Sequence, residues 1–255
     1  MKMKRCDLHV HTRYSYDTDD YQTFEAYCLK GIELGMDVIC FTDHIERNPD
    51  ANTFDDFRFE ERIREFNKVK ETYKDKIEIL LGYEVGGPHK HPDVVRYLRD
   101  LGTDMIIGSV HYREDIPVRY GSHEWEREYD RMMYEMIGNA DIDVIGHLDV
   151  LKNWHRGSYI EDKEMLKRSI ELAAERGVVP EINTSSYRSG LDEPMPGFDV
   201  LEYYRECGGR YVTINSDSHN IRNLNYGYDR VLEQLPEGLR PCFFRKGILV
   251  DAFQD

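Results

Sequence analysis

The sequence predicts an α/β protein built on seven parallel strands that close, or nearly close, into a barrel. Three observations carry this. Apolar runs of four to eight residues alternate with longer helical patterns along the chain. Glycines stand just past several of those patterns, and almost every apolar run ends in a residue able to ligate a metal. No internal repeat or low-complexity linker divides the 255 residues, so a single domain, 1–255, is expected.

The strand-like runs are 6–11, 37–42, 77–84, 105–111, 142–147, 178–183 and 211–217. The first, Cys-Asp-Leu-His-Val-His, places His9 and His11 at i and i+2, on one face of a strand, where both could hold a single cation. Taken alone, His-x-His is more often two half-buried or surface histidines than a metal site. Helical patterns fill the intervals: 23–34 closed by Gly35, 57–73, 92–101, 124–137, 161–176 closed by Gly177, and 198–207 closed by Gly208. Strand-helix alternation of this kind implies right-handed crossovers between parallel strands. The charged run 54–76 reads as a solvated helix laced with ion pairs.

In a parallel barrel all strand carboxyl ends meet at one mouth, where active sites sit. The second strand is followed by Thr42-Asp43-His44, and the third ends Gly82-Tyr83-Glu84. The next four end Ser109-Val110-His111, Gly146-His147-Leu148-Asp149, Glu181-Ile182-Asn183 and Ser216-Asp217-Ser218-His219. Any one of these has a dull explanation, as a satisfied polar core residue or a helix cap. Together they place six of the ten histidines at one rim, and coincidence becomes the weaker account.

Charge narrows the partners. Thirty-four Lys and Arg against 49 Asp and Glu give a formal charge of −15, which repels long polyanions, so no nucleic acid is expected. Three divalent ions would bring that to about −9 and leave room for a locally positive pocket. The five cysteines, Cys6, Cys28, Cys40, Cys207 and Cys242, lack C-x-x-C spacing and read as reduced core thiols. No apolar leader and no run of about 18 apolar residues occurs, so a cytoplasmic protein without membrane contact is expected.

These motifs, in order, resemble those of the PHP (polymerase and histidinol phosphatase) family, of the histidinol-phosphate phosphatase type. They are His9-x-His11, Thr42-Asp43-His44, Gly82-x-Glu84, Ser109-x-His111, Gly146-His147-x-Asp149 and Asp217-x-His219. The resemblance implies a distorted, TIM-like (β/α)7 barrel with three divalent transition-metal ions, Zn, Fe or Mn, at the mouth. It assigns His9, His11, Glu84 and Asp217 to one ion, with Glu84 bridging to a second held by His111 and His147. Asp17, His44 and His219 would hold the third. Some members carry His at the place of Asp17, and an oxygen ligand there favours Fe or Mn over Zn. The stretch Asn183-Thr184-Ser185-Ser186-Tyr187-Arg188 resembles one whose Arg binds the substrate phosphate, although Ser186 stands where the family has Gly. This marks Asn183, Ser185 and Arg188 as substrate-binding candidates. Two adjacent basic residues usual after Asp149 are replaced by Lys152-Asn153-Trp154-His155-Arg156, so Lys152 and Arg156 are the basic candidates there, or else ordinary surface charge.

The implied reaction is hydrolysis of a small phosphate monoester, L-histidinol phosphate first, by a hydroxide that bridges two of the metals. Arg188 would neutralise phosphoryl oxygens, and Asp149 and Asp43 would orient imidazoles or deliver a proton. The alternatives are another small phosphate ester or a nucleotide as substrate, a polymerase-associated nuclease, and a non-catalytic module.

Overall fold

The computed structural model describes residues 2–47, 53–111, 122–155 and 162–253. All seven expected runs are strands: β1 (Cys6–Val10), β2 (Val38–Phe41), β4 (Glu78–Gly86), β5 (Met105–Ser109), β6 (Val144–Ile145), β7 (Val179–Asn183) and β8 (Tyr211–Asn215). Three further strands bring the count to ten among the described residues, not seven. They are the short β3 (His44–Ile45), β9 (Arg240–Arg245) and β10 (Ile248–Asp251). The sheet runs β1-β2-β4-β5-β6-β7-β8-β9-β10 with β3 also on β4, and every pairing is parallel except the β9-β10 hairpin. That hairpin turns at Lys246-Gly247, both at positive φ, as a two-residue turn requires.

The expected closure is only partial: β1 meets the segment just past β8 at a single backbone bridge, Val10 to Ser218, and no ladder joins β1 to β8 among the described residues. Below it, side chains take over the backbone's partners. Asn215 Oδ1 accepts from Leu8 N at 2.9 Å, and Asp7 Oδ1 accepts from Ser216 N at 3.0 Å. A polar side chain in the seam thus satisfies backbone N–H groups that a closed ladder would have paired.

In order, the first helices are α1 (Phe24–Glu33), the short α2 (Thr53–Asp56), α3 (Phe59–Tyr73), α4 (Pro92–Asp100) and α5 (His123–Asn139). After them come α6 (Leu151–Trp154), α7 (Lys163–Arg176), α8 (Ser185–Arg188), α9 (Phe198–Glu206) and α10 (Tyr228–Gln234). Six of these, α1, α3, α4, α5, α7 and α9, fill the expected intervals, and four more, α2, α6, α8 and α10, were not expected. The caps explain the boundaries. Thr23, Ser122 and Asp162 each accept from a first-turn N–H, and Gly177 ends α7 at φ 69°. None of the helices is long and apolar enough to cross a membrane among the described residues.

Two apolar clusters hold the fold. The larger lies between sheet and helices and contains Phe24, Phe41, Tyr83, Trp125 and Ile182. The smaller joins Leu8, Cys40, Leu80, Met105, Ile107, Val144 and Val179 to Phe243 of β9. Along β4, Leu80, Gly82 and Glu84 share one face, so the small cluster forms a floor and the carboxylate stands two pleats above it. The charged helix α3 departs from its expected solvation, because Arg62, on the helix that also buries Phe66, Val69 and Tyr73, is fully buried against the rings of Phe24 and Tyr83.

Candidate metal centre

The strand ends, with the loop after β1 that carries Asp17, bring the nine ligand-type side chains together. Glu84, near the carboxyl end of β4 and paired on either side with β3 and β5, is buried and aims its two oxygens at different partners. Its Oε2 lies 3.0 Å from His44 Nδ1, 3.1 Å from His9 Nε2 and 3.5 Å from His11 Nε2, and its Oε1 lies 3.1 Å from His111 Nε2 and 3.2 Å from His147 Nε2. Asp217 Oδ1 completes the first group, 3.6 Å from His9 Nε2 and 3.4 Å from His11 Nε2. In the second, His111 Nε2 and His147 Nε2 are 3.2 Å apart. A third triangle joins Asp17 Oδ2 to His219 Nε2 at 3.0 Å and to His44 Nε2 at 3.4 Å, with the two nitrogens 3.4 Å apart.

These spacings fit divalent cations. Ligand atoms at 2.0 to 2.2 Å around a tetrahedral ion stand about 3.3 Å from one another. Among the described residues the buried Nε2 atoms of His9 and His11 make no well-aligned hydrogen bond despite the nearby carboxylate oxygens, a cost that a cation among them would remove. Two of the candidate ligands, His147 (φ 22°) and Asp217 (φ 53°), also hold left-handed backbone that non-glycine residues seldom adopt.

The electrostatics match. Burial alone would raise the Glu84 carboxyl, but His9, His111 and His44 outweigh it and hold it well below the usual range. Burial would lower His44, yet Glu84 and Asp17 push it up to about 9. His11, packed ring to ring against His219 at 4.0 Å and His44 at 4.3 Å, is driven well below its ordinary value by burial and by those two imidazoles.

A second layer fixes the rings. His9 Nδ1 donates to Glu181 Oε1 at 2.6 Å, and His111 Nδ1 donates to Glu46 Oε1 at 2.7 Å, which leaves each Nε2 facing the cluster. Ser109 Oγ donates to Glu84 Oε1 at 2.6 Å. Close approach here needs glycine. A Cβ at Gly86 would sit 1.8 Å from Glu46 Oε2, and one at Gly146 would sit 2.4 Å from Ser109 Oγ. Sequence reasoning named neither Glu46 nor Ser109 nor Glu181 as a site residue. Glu181 had one signal, a carboxylate within an otherwise apolar strand end.

The other candidates fall in different places. Asp43 is enclosed, accepting from Thr12 N at 2.6 Å and from Arg62 Nε at 2.6 Å, so it faces the interior and not the cleft. Asp149 is buried and bound by Lys152 Nζ at 2.7 Å; burial raises its carboxyl against the opposing pull of that lysine. Lys152 also reaches Glu193 at 3.0 Å and Pro194 O at 2.7 Å, so its charge is spent inside the protein. Arg156 lies outside the described residues. Asn183 Nδ2 donates to Glu181 and to Asp217 Oδ2, and its Oδ1 accepts from Ser185 N, so it braces a ligand carboxylate. Arg188 donates to Ser216 O at 2.6 Å and Asp217 O at 2.9 Å, and makes no bond to Asp192 or Glu193 among those described. It lines the cleft, of about 420 Å³, with Tyr16, Val150, Asn153, Trp154 and Ser185 around the cluster.

Parallel strands delivering imidazoles and carboxylates to one metal-fitting rim define a class, and the chain belongs to the PHP domain family, whose model matches residues 7–185. Among individual proteins it is similar to the histidinol-phosphatase of Lactococcus lactis subsp. lactis, 27% identical over 234 residues covering 85% of each chain. It is similar also to the probable histidinol-phosphatase of Schizosaccharomyces pombe, 27% identical over 261 residues, covering 88% of this chain and 84% of that one. In fold it resembles the crystal structure of the Lactococcus histidinol phosphate phosphatase complexed with zinc, L-histidinol and phosphate. That match has a TM-score of 0.82 at 22% identity, over 98% of this chain and 100% of the other.

Proposed function

We propose that the protein is a metal-dependent phosphomonoesterase whose substrate is L-histidinol phosphate, hydrolysed to L-histidinol and phosphate by one domain spanning 1–255. The observation that carries this is the split of Glu84: Oε1 faces His111 and His147 at 3.1 and 3.2 Å, while Oε2 faces His9 and His11 at 3.1 and 3.5 Å and also His44 Nδ1 at 3.0 Å. A carboxylate so placed spans two cations. His9, His11 and Asp217 complete the first position, and His111 and His147 the second. Asp17, His44 and His219 form a third, all of them for Zn, Fe or Mn. The choice of substrate is supported by the names of the similar proteins and by the bound ligands of the Lactococcus structure.

When bound, the cations polarise the phosphoryl oxygens and acidify an attacking water. The chain's own residues do the rest. Arg188 lines the cleft and spends two N–H groups on carbonyls, and a guanidinium has five, so it can hold a phosphate oxygen beside the metals. Ser185 adds a hydroxyl on the same wall. Val150, Asn153, Trp154 and Tyr16 surround the space left for the leaving group. The buried Asp149–Lys152 pair anchors the segment that carries Asn153 and Trp154, and Asp43 serves orientation, since its oxygens are taken up by Thr12, Ser15 and Arg62.

The test is phosphate release from L-histidinol phosphate beside a panel of sugar and nucleoside monophosphates, with elemental analysis of protein made without chelators. About three ions and a clear preference for histidinol phosphate are expected. Fewer than two ions in folded protein would overturn the trinuclear reading, and a preference for another ester would reassign the substrate.

A further inference from the structure

We propose that Arg62, fully buried on α3, acts through Asp43 and Ser15 as a positioning residue that fixes the tautomer of His11 and thereby aims its Nε2 at the cluster. The inference rests on the reading of His11 Nε2 as a metal ligand and adds how that ligand is set.

The chain of contacts is continuous. Arg62 Nε donates to Asp43 Oδ2 at 2.6 Å, while its Nη2 binds Phe41 O at 3.1 Å and Gly82 O at 3.2 Å, and its guanidinium lies 4.4 Å from the Tyr83 ring centre. Asp43 Oδ1 receives Thr12 N at 2.6 Å and Thr12 Oγ1 at 2.9 Å, and stands 3.1 Å from Ser15 Oγ. Ser15 Oγ in turn stands 3.1 Å from His11 Nδ1 and accepts from His44 N at 3.1 Å.

Donor counting then leaves one arrangement. Asp43 faces a guanidinium and a backbone N–H, so its oxygens are placed to accept. The single hydroxyl proton of Ser15 therefore goes to Asp43. With that proton committed, Ser15 Oγ has only lone pairs to offer His11, so His11 must donate Nδ1–H to it. The lone pair of the ring is thereby left on Nε2, which faces Glu84 Oε2 at 3.5 Å and Asp217 Oδ1 at 3.4 Å. An amide or a neutral acid at position 43 could donate to Ser15 instead, which would turn the hydroxyl proton toward Nδ1 and move the ring proton to Nε2. The buried charge of Arg62 excludes that alternative, and this accounts for a guanidinium inside a helix face otherwise lined by Phe66, Val69 and Tyr73.

The experiment uses the full chain with 15N-labelled histidine. In chelator-stripped protein, ring-nitrogen shifts report the His11 tautomer without any metal. In metal-loaded protein, release to a chelator reports ligand quality. The parent is expected to show Nδ1–H. Ser15→Ala, Asp43→Asn and Arg62→Met are expected to populate Nε2–H and to speed metal release by about 10- to 100-fold. Ser15→Ala combined with Asp43→Asn should release metal no faster than the worse single variant, because both cut one relay. Arg62→Lys should restore most of what Arg62→Met loses. A parent ring protonated on Nε2, or a Ser15→Ala protein that keeps both the tautomer and the release rate, overturns the relay. Ser15→Ala leaves Arg62 paired, so it decides the matter even where Asp43→Asn fails to fold. Failure of the metal reading itself would appear separately, as a parent protein without metal.

Discussion

The lower and upper halves of the same strands follow different rules. The floor, where Leu80, Met105, Ile107, Val144 and Val179 meet Phe243, is an apolar cluster complete in itself. The rim, one or two pleats higher on the same faces, is crowded with buried imidazoles and carboxylates, some of whose nitrogens make no well-aligned hydrogen bond among the described residues. Burying such groups costs stability unless something compensates them. The contrast fits a floor that belongs to folding and a rim whose donor set suits cations.

The substitution that should break the rim most is Glu84→Gln. It keeps the shape but removes the charge and one good oxygen ligand that two imidazole pairs share, so kcat/KM should fall on the order of 1000-fold, with loss of metal. Steady-state kinetics and elemental analysis check it, and activity within about tenfold of the parent would refute the bridge. Next comes Arg188→Ala, expected to lower kcat/KM by about 30- to 1000-fold, about 2 to 4 kcal/mol, with metal retained and only partial recovery in Arg188→Lys. Because Arg188 also holds the carbonyls of Ser216 and Asp217, loss of metal in this variant would show that its main service is to the Asp217 backbone.

Glu181→Gln sharpens the comparison one layer out. The amide can no longer accept from both His9 Nδ1 and the His147 N–H with full charge, and metal affinity should drop about 10- to 100-fold in a chelator competition. The smallest effect on turnover is expected from the floor. Leu80→Ala should cost about 2 to 5 kcal/mol in a denaturant titration. It lies two pleats from Glu84, so kcat/KM of the folded protein should stay within about threefold. A large loss of turnover there would mean that floor and rim are not separable.

Strand positions, helix intervals and the rim residues were legible from the sequence because each depends on local pattern. Alternation of two along a strand, a glycine past a helix and a ligand at a strand end are all visible within a few residues. The hairpin at 240–251 was not read: its strands carry no ligand to mark them, and only β9 pairs with the rest of the sheet, through two residue pairs at the base of β8. Closure was also beyond the sequence: whether β1 meets β8 by ladder or by the side chains of Asp7 and Asn215 depends on residues more than 200 apart. The same holds for the supports of the rim. In sequence Arg62 is one cation in a charged helix and Glu46 one carboxylate in a loop. Only packing puts the first under Asp43 and the second behind His111. Local pattern determines which side chains reach the mouth, whereas the desolvation that makes each buried charge seek a partner acts between segments that only the folded chain brings together.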